Sequence, residues 1–136
     1  MAGRTLTEKD YRLLAAFRCE LRRFLARSEN VARGIGIPPQ QHQALLAVRG
    51  YAGPGEMSIS DLADCLFIRH HSAVELVDRL VERGLLARHD HPDDRRKTSL
   101  VLTDQAHAVL GELTETHVEE IQRIAPLLND VFKQLG

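Results

Sequence analysis

The sequence predicts a mainly α protein with one β-hairpin, and three observations predict it. Apolar residues recur at helical spacing over most of the chain, as in Leu14, Phe17, Leu21 and Phe24. Two short apolar runs between Gly84 and Thr103, joined by a polar stretch, interrupt that rhythm. A length of 136 residues, 43% hydrophobic and 27% charged, suits one folded unit whose core needs no disulfide staples.

Thr7 to Ser28 read as the first helix, with Thr7 as its cap and Glu8 and Asp10 in its first turn. Gly34 and Gly36 end that segment, and Pro38-Pro39 opens a second helix at the tolerated first turn. It runs through Ala44, Leu45 and Val48 to about Arg49, where Gly50 stops it; Gly53-Pro54-Gly55 is a turn. A third helix covers about Ser60 to Leu66, capped by Ser58 while Asp61 returns the bond. After a break at Phe67-Ile68-Arg69, a fourth runs from about His70 to Arg83, with Ala73, Leu76, Val77 and Leu80 inward and Gly84 as its stop. Leu85–His89 and Thr98–Leu102 read as strands joined by a polar loop, Asp90 to Lys97. Thr103 caps a fifth helix through Leu110, Leu113, His117, Ile121 and Ile124, and Pro126 opens a sixth through Leu128, Val131 and Leu135. Apolar rows on the first, fifth and sixth helices (Leu14, Leu21; Leu113, Ile121; Leu128, Val131) exceed what so short a chain can cover, which predicts a homodimer.

No run approaches the roughly 18 apolar residues of a membrane span. Arg4, Lys9 and Asp10 stand where a secretory signal needs an apolar stretch, so a cytoplasmic location away from membranes is expected. Two cysteines, Cys19 and Cys65, make no disulfide framework. With no Trp and 4% aromatic residues, base stacking on single strands is poorly supplied. The net charge of −1 conceals +4 over residues 1–33 and −4 over 103–136, so the two ends are expected to pair, within one subunit or across a dimer, or else to be solvated faces. No phosphate-cradling loop, His-Glu-x-x-His or nucleophile with a base partner supports an enzyme, and no cofactor is expected.

Two helices separated by a three-residue turn, then a hairpin with a basic tip, are the layout of a winged helix-turn-helix. A helix fits the major groove, and a basic loop beside it reaches phosphate or the minor groove. At about 100° per residue, His71, Glu75, Asp78 and Arg79 fall opposite the buried stripe, with Ser72 beside them and His70 at the edge. His71 and Ser72 can donate to base acceptors, and Glu75 can accept from a cytosine amino group. Arg79 and Asp78 fit phosphate-facing or structural roles. Arg69 stands where a capping side chain would, leaving free N–H groups and a positive dipole end for a phosphate. Arg95, Arg96 and Lys97 concentrate positive charge in the wing.

The run Leu80-Val81-Glu82-Arg83-Gly84-Leu85-Leu86-Ala87-Arg88, followed by Asp93-Asp94-Arg95-Arg96 and Val101-Leu102-Thr103, resembles the wing region of the MarR family of bacterial transcription regulators. Ile37-Pro38-Pro39-Gln40 also fits, whereas Ala106 stands where that family usually has Gly. The resemblance implies a homodimer held by its terminal helices, binding a pseudopalindromic operator and often answering to small aromatic ligands or oxidants. It implies that Arg96 enters the minor groove while Asp94 holds that guanidinium or a neighbour such as Arg88. On that layout, about 35–103 form the DNA-binding lobe, and about 6–30 and 104–136 the dimerisation helices. Phe17, His42 and Leu46 are the expected lining of an effector site between them.

Alternatives remain open at this level. Residues 69–97 carry a balance of only +1, which suits a dimeric protein-interaction module without DNA. Cys19, beside Arg18, Arg22 and Arg23, suits a redox-sensing regulator, although the default is a packing residue. Cys65 is expected to be buried. His89 and His91, expected on one side of a strand with Asp93 near, lack a further ligand at metal-binding spacing.

Overall fold

The computed structural model describes residues 3–91 and 93–135, with the backbone alone for 94–97 and 135. The order is α1 (Glu8–Gly34), α2 (Pro39–Arg49), α3 (Ile59–Leu66), α4 (His70–Glu82), β1 (Leu86–His91), β2 (Asp94–Leu102) and α5 (Asp104–Leu135). Capping chemistry fixes several of these boundaries. Thr7 and Asp10 form a reciprocal capping box at α1, and Ser58 and Asp61 form another at α3. Thr103 Oγ1 accepts from the Ala106 N–H at the start of α5 and donates to the Gly84 carbonyl at 2.6 Å.

Three helix ends share one geometry. Ile37 N–H reaches back to Ala32 O, Ile68 N–H to Ala63 O and Leu85 N–H to Leu80 O, each at 2.9–3.0 Å. That closure needs a left-handed residue just before the donor. Gly36 (φ 84°) and Gly84 (φ 72°) supply it at α1 and α4, and Phe67 (φ 54°) at α3.

The core lies between α2, α3, α4, the base of the hairpin and the first half of α5. Leu45, Leu62, Leu80, Leu85, Leu86 and Leu113 are fully buried there. β1 and β2 pair antiparallel from Leu86 opposite Leu102 to Asp90 opposite Thr98, with a register shift before His91. Leu100 N–H donates to Met57 O at 2.9 Å, fastening the hairpin to the approach of α3.

The structure differs from the sequence reading in three places. The helix α1 continues past Ser28 to Gly34, where the left-handed Gly36 closes it. The hairpin is longer than expected, with 90, 91 and 94–97 in strands rather than in a loop. A separate sixth helix does not form, because Pro126 lies inside α5. Proline removes one donor there without ending the helix, since α1 braces both sides of it. Arg27 pairs with Glu120 at 3.5 Å before the proline, and the Phe17 and Phe132 rings meet at 6.1 Å after it. The Arg27–Glu120 pair also joins the basic and acidic ends of the chain within one subunit.

Of the apolar rows read from the sequence, Leu113 and Val131 are buried within the single chain. Leu14, Leu21 and Ile121 are exposed, together with Leu25, Val118 and Phe132. Among the described residues no helix is long and apolar enough to cross a membrane.

Candidate nucleic-acid interface

The geometry of α4 follows from its sequence pattern. Ala73, Leu76, Val77 and Leu80 are at most 3% exposed and hold one face in the core. The opposite face then projects outward: Arg69, His70, His71, Glu75 and Arg79 are exposed, and Ser72 is half-buried at the margin. Arg69 occupies the N-cap position and makes no side-chain cap bond. The first N–H groups of the helix therefore point outward beside a guanidinium, an arrangement that favours an anion.

At the other end of α4, Arg83 donates to Gln41 Oε1 at 2.9 Å and to the Gly36 carbonyl at 3.1 Å. This strap to α2 and to the α1–α2 turn fixes the helix axis. An arginine one residue before a helix-ending glycine carried no sign of that role in the sequence. Arg88 of β1 pairs with Asp78 of α4, so Asp78 has a structural role. The expected wing contacts of Asp94, Arg95, Arg96 and Lys97 rest on side chains outside the described residues; their backbone belongs to β2. His89 and His91 do not act together. The register shift lies before His91, whose Nε2 meets Ser99 Oγ, whereas His89 Nδ1 lies 3.3 Å from Glu56.

Of the three residues expected at an effector site, His42 and Leu46 stand a helical turn apart on α2 and Phe17 lies on α1. His42 is buried on α2, with its ring 4.9 Å from that of His117 on α5. Phe24 of α1, rather than Phe17, stands edge-on to His117 at 6.2 Å; Phe17 meets Phe132 instead. Leu46, a helical turn beyond His42, lines an open cleft of about 430 Å³ between α2 and α5, with Arg49, His107 and Thr114. Neither His42 Nε2 nor His117 Nε2 has a hydrogen-bond partner among the described residues. Burial first, and the neighbouring His117 second, push the His42 pKa below its ordinary 6.5 and keep that ring neutral. His117 was legible only as one position in an apolar stripe, because nothing in a sequence pairs it with a histidine 75 residues away. Cys65 is exposed, contrary to expectation, and Cys19 is half-buried.

A short helix, a tight turn, an outward-facing helix and a two-stranded hairpin define a winged-helix protein. Residues 35–97 match the MarR family model. The transcriptional regulator PecS of Dickeya dadantii is 30% identical over 83 residues, which cover 61% of this chain and 50% of PecS. The match thus spans about half the length of that relative. The crystal structure of a Staphylococcus aureus MepR–DNA complex has a TM-score of 0.72 at 17% identity, covering 96% of this chain and 93% of MepR. AbsC of Streptomyces coelicolor, a MarR family regulator, has a TM-score of 0.69 at 20% identity, covering 89% of this chain and 81% of AbsC. Both likenesses are of fold.

Proposed function

We propose that the protein is a sequence-specific double-stranded DNA-binding transcription regulator, a repressor acting as a homodimer on a pseudopalindromic operator in the cytoplasm. The observation that carries this reading is the outward face of α4, where Arg69, His70, His71, Ser72, Glu75 and Arg79 form one polar surface above a fully packed stripe. The MarR family match over residues 35–97 supports it, as does the likeness to MepR, a protein crystallised with DNA. In this reading α4 reads base edges in the major groove, and Arg95, Arg96 and Lys97 carry the wing to the backbone and minor groove, with Asp94 orienting Arg96.

The exposed rows of α1 and α5 are the dimer surface, so that residues 6–30 and 104–136 hold two lobes of 35–103 at operator spacing. A small aromatic effector enters between lobe and arm near His42 and Leu46, where two imidazole nitrogens are unpartnered and Leu46 lines an open cleft. Its binding shifts the spacing of the two recognition helices.

The test is selection of genomic fragments from the source organism, followed by anisotropy titration of a recovered duplex at several salt concentrations. Tight binding that falls steeply with salt is expected. Absence of duplex binding at low salt would overturn the reading in favour of a protein-interaction module.

A further inference from the structure

The three helix ends described above pose one steric problem and solve it in two ways. A left-handed residue is needed at each, and glycine adopts that conformation without a Cβ penalty. Gly36 and Gly84 follow that logic. Phe67 does not: a bulky side chain sits at φ 54°, and it alone among the described non-glycine residues has positive φ. Its ring gains nothing from the interior in return, being 96% exposed, whereas the other exposed large hydrophobics reach at most 60%. Ile68, the next residue, packs against the core and anchors the turn. Backbone strain and an exposed aromatic ring therefore coincide at one position. Folding alone would favour glycine or asparagine there.

The position is the turn between α3 and α4, two residues before Arg69 and three before His70, both exposed. Phe67 thus lies in the exposed stretch that leads into the polar face of α4. We propose that Phe67 is an apolar contact to duplex DNA, its ring covering a thymine C5-methyl or the face of a deoxyribose beside the start of α4. This rests on the reading that α4 faces DNA. A thymine methyl is the main apolar feature of the major groove, and phenylalanine is one of the side chains that contact it. Such a contact adds affinity without neutralising a phosphate, so it leaves the counterion count unchanged.

The experiment compares full-length wild type, Phe67→Gly and Phe67→Asn on the duplex that the wild type recovers from a randomised library. Both substitutions suit a left-handed backbone, so each variant is expected to melt a few degrees higher than wild type. Each is expected to bind the duplex about tenfold more weakly with an unchanged salt slope. Replacing thymines one at a time by deoxyuridine then separates the two contacts. A methyl contact costs the wild type affinity at one position per half-site and costs Phe67→Gly nothing; a deoxyribose contact leaves every such replacement silent. Wild-type affinity in Phe67→Gly, or a drop in its melting temperature, overturns the proposal. A wild type that recovers no duplex fails the underlying reading instead, before Phe67 is varied.

Discussion

The lobe around α4 and the arm made by α1 and the second half of α5 bury their apolar residues to different degrees. In the lobe, Leu45, Leu62, Leu80 and Leu85 are closed off by their own chain, and the C-terminal ends of α3 and α4 are closed by left-handed turns. In the arm, Leu14, Leu21, Leu25, Val118, Ile121 and Phe132 are all more than 40% exposed on helices of 27 and 32 residues. Helices that long hold most of their stability through an apolar face against something else. The lobe closes over its own apolar residues, while the arm leaves an apolar row uncovered. Stability and assembly should accordingly respond to different residues.

The largest expected effect lies in the lobe. Leu45→Ala should cost about 2–5 kcal/mol of folding stability through the cavity it leaves, measured by urea unfolding. In the arm, Leu21→Arg should leave the lobe folded by circular dichroism but shift sedimentation from about twice 15.3 kDa toward 15.3 kDa. A variant that stays fully dimeric would show that the exposed row of α1 is not the seam.

The next effects test the proposed DNA contacts. Arg96→Ala should weaken duplex binding severely while the dimer stays intact, because minor-groove arginine combines charge with shape readout. Unchanged affinity at matched salt would remove the wing from the interface. On α4, Glu75→Ala should relax preference at one base per half-site by roughly 1–3 kcal/mol with little change in salt slope. Arg69→Ala should instead weaken all sequences alike and flatten the slope. Uniform tightening by Glu75→Ala would make that residue a repulsive surface acid and pass base reading to His71 and Ser72.

The smallest effect concerns the junction of lobe and arm. Folded His42 has its pKa below the ordinary 6.5, chiefly through burial, so the unfolded chain takes up a proton first as pH falls. Stability is therefore unaffected above that value and declines below it, by at most about 1.4 kcal/mol per pH unit, until the folded-state pKa is reached. His42→Leu should flatten the decline in melting temperature between pH 6.5 and 5. An identical decline in both proteins would assign it to other groups.

The lobe was legible because its signals are local. Ser58 and Asp61 announce a capping box three residues apart, Gly84 a helix stop, and Ala73, Leu76, Val77 and Leu80 a stripe. What the sequence did not carry depended on distant partners. Pro126 reads as a helix opener until α1 is seen bracing both sides of it. Leu113 and Ile121 share a stripe by spacing, yet one is buried by α2 and the hairpin base and the other is exposed. Phe17 was a reasonable aromatic to set beside His42, but Phe24, two helical turns further on, is the ring that reaches His117. The outward face of α4 was readable from periodicity alone, since what makes those residues available is that nothing covers them.

The Thr103 hydroxyl joins the end of α4 to the start of α5. It receives the N–H of Ala106, in the first turn of α5, with one lone pair and gives its proton to the carbonyl of Gly84, the residue that closes α4. Leu85, beside that glycine, accepts from the Thr103 backbone N–H at 3.2 Å, so the two chain segments are riveted at two points. With Arg83 clamping the same end of α4 to α2, the pivot about which the reading head could swing lies at its trailing end, leaving Arg69 and His71 at the far tip. A substitution that loosens the Thr103 junction would therefore act on α4 from its trailing end, with Arg69 and His71 the residues farthest from it.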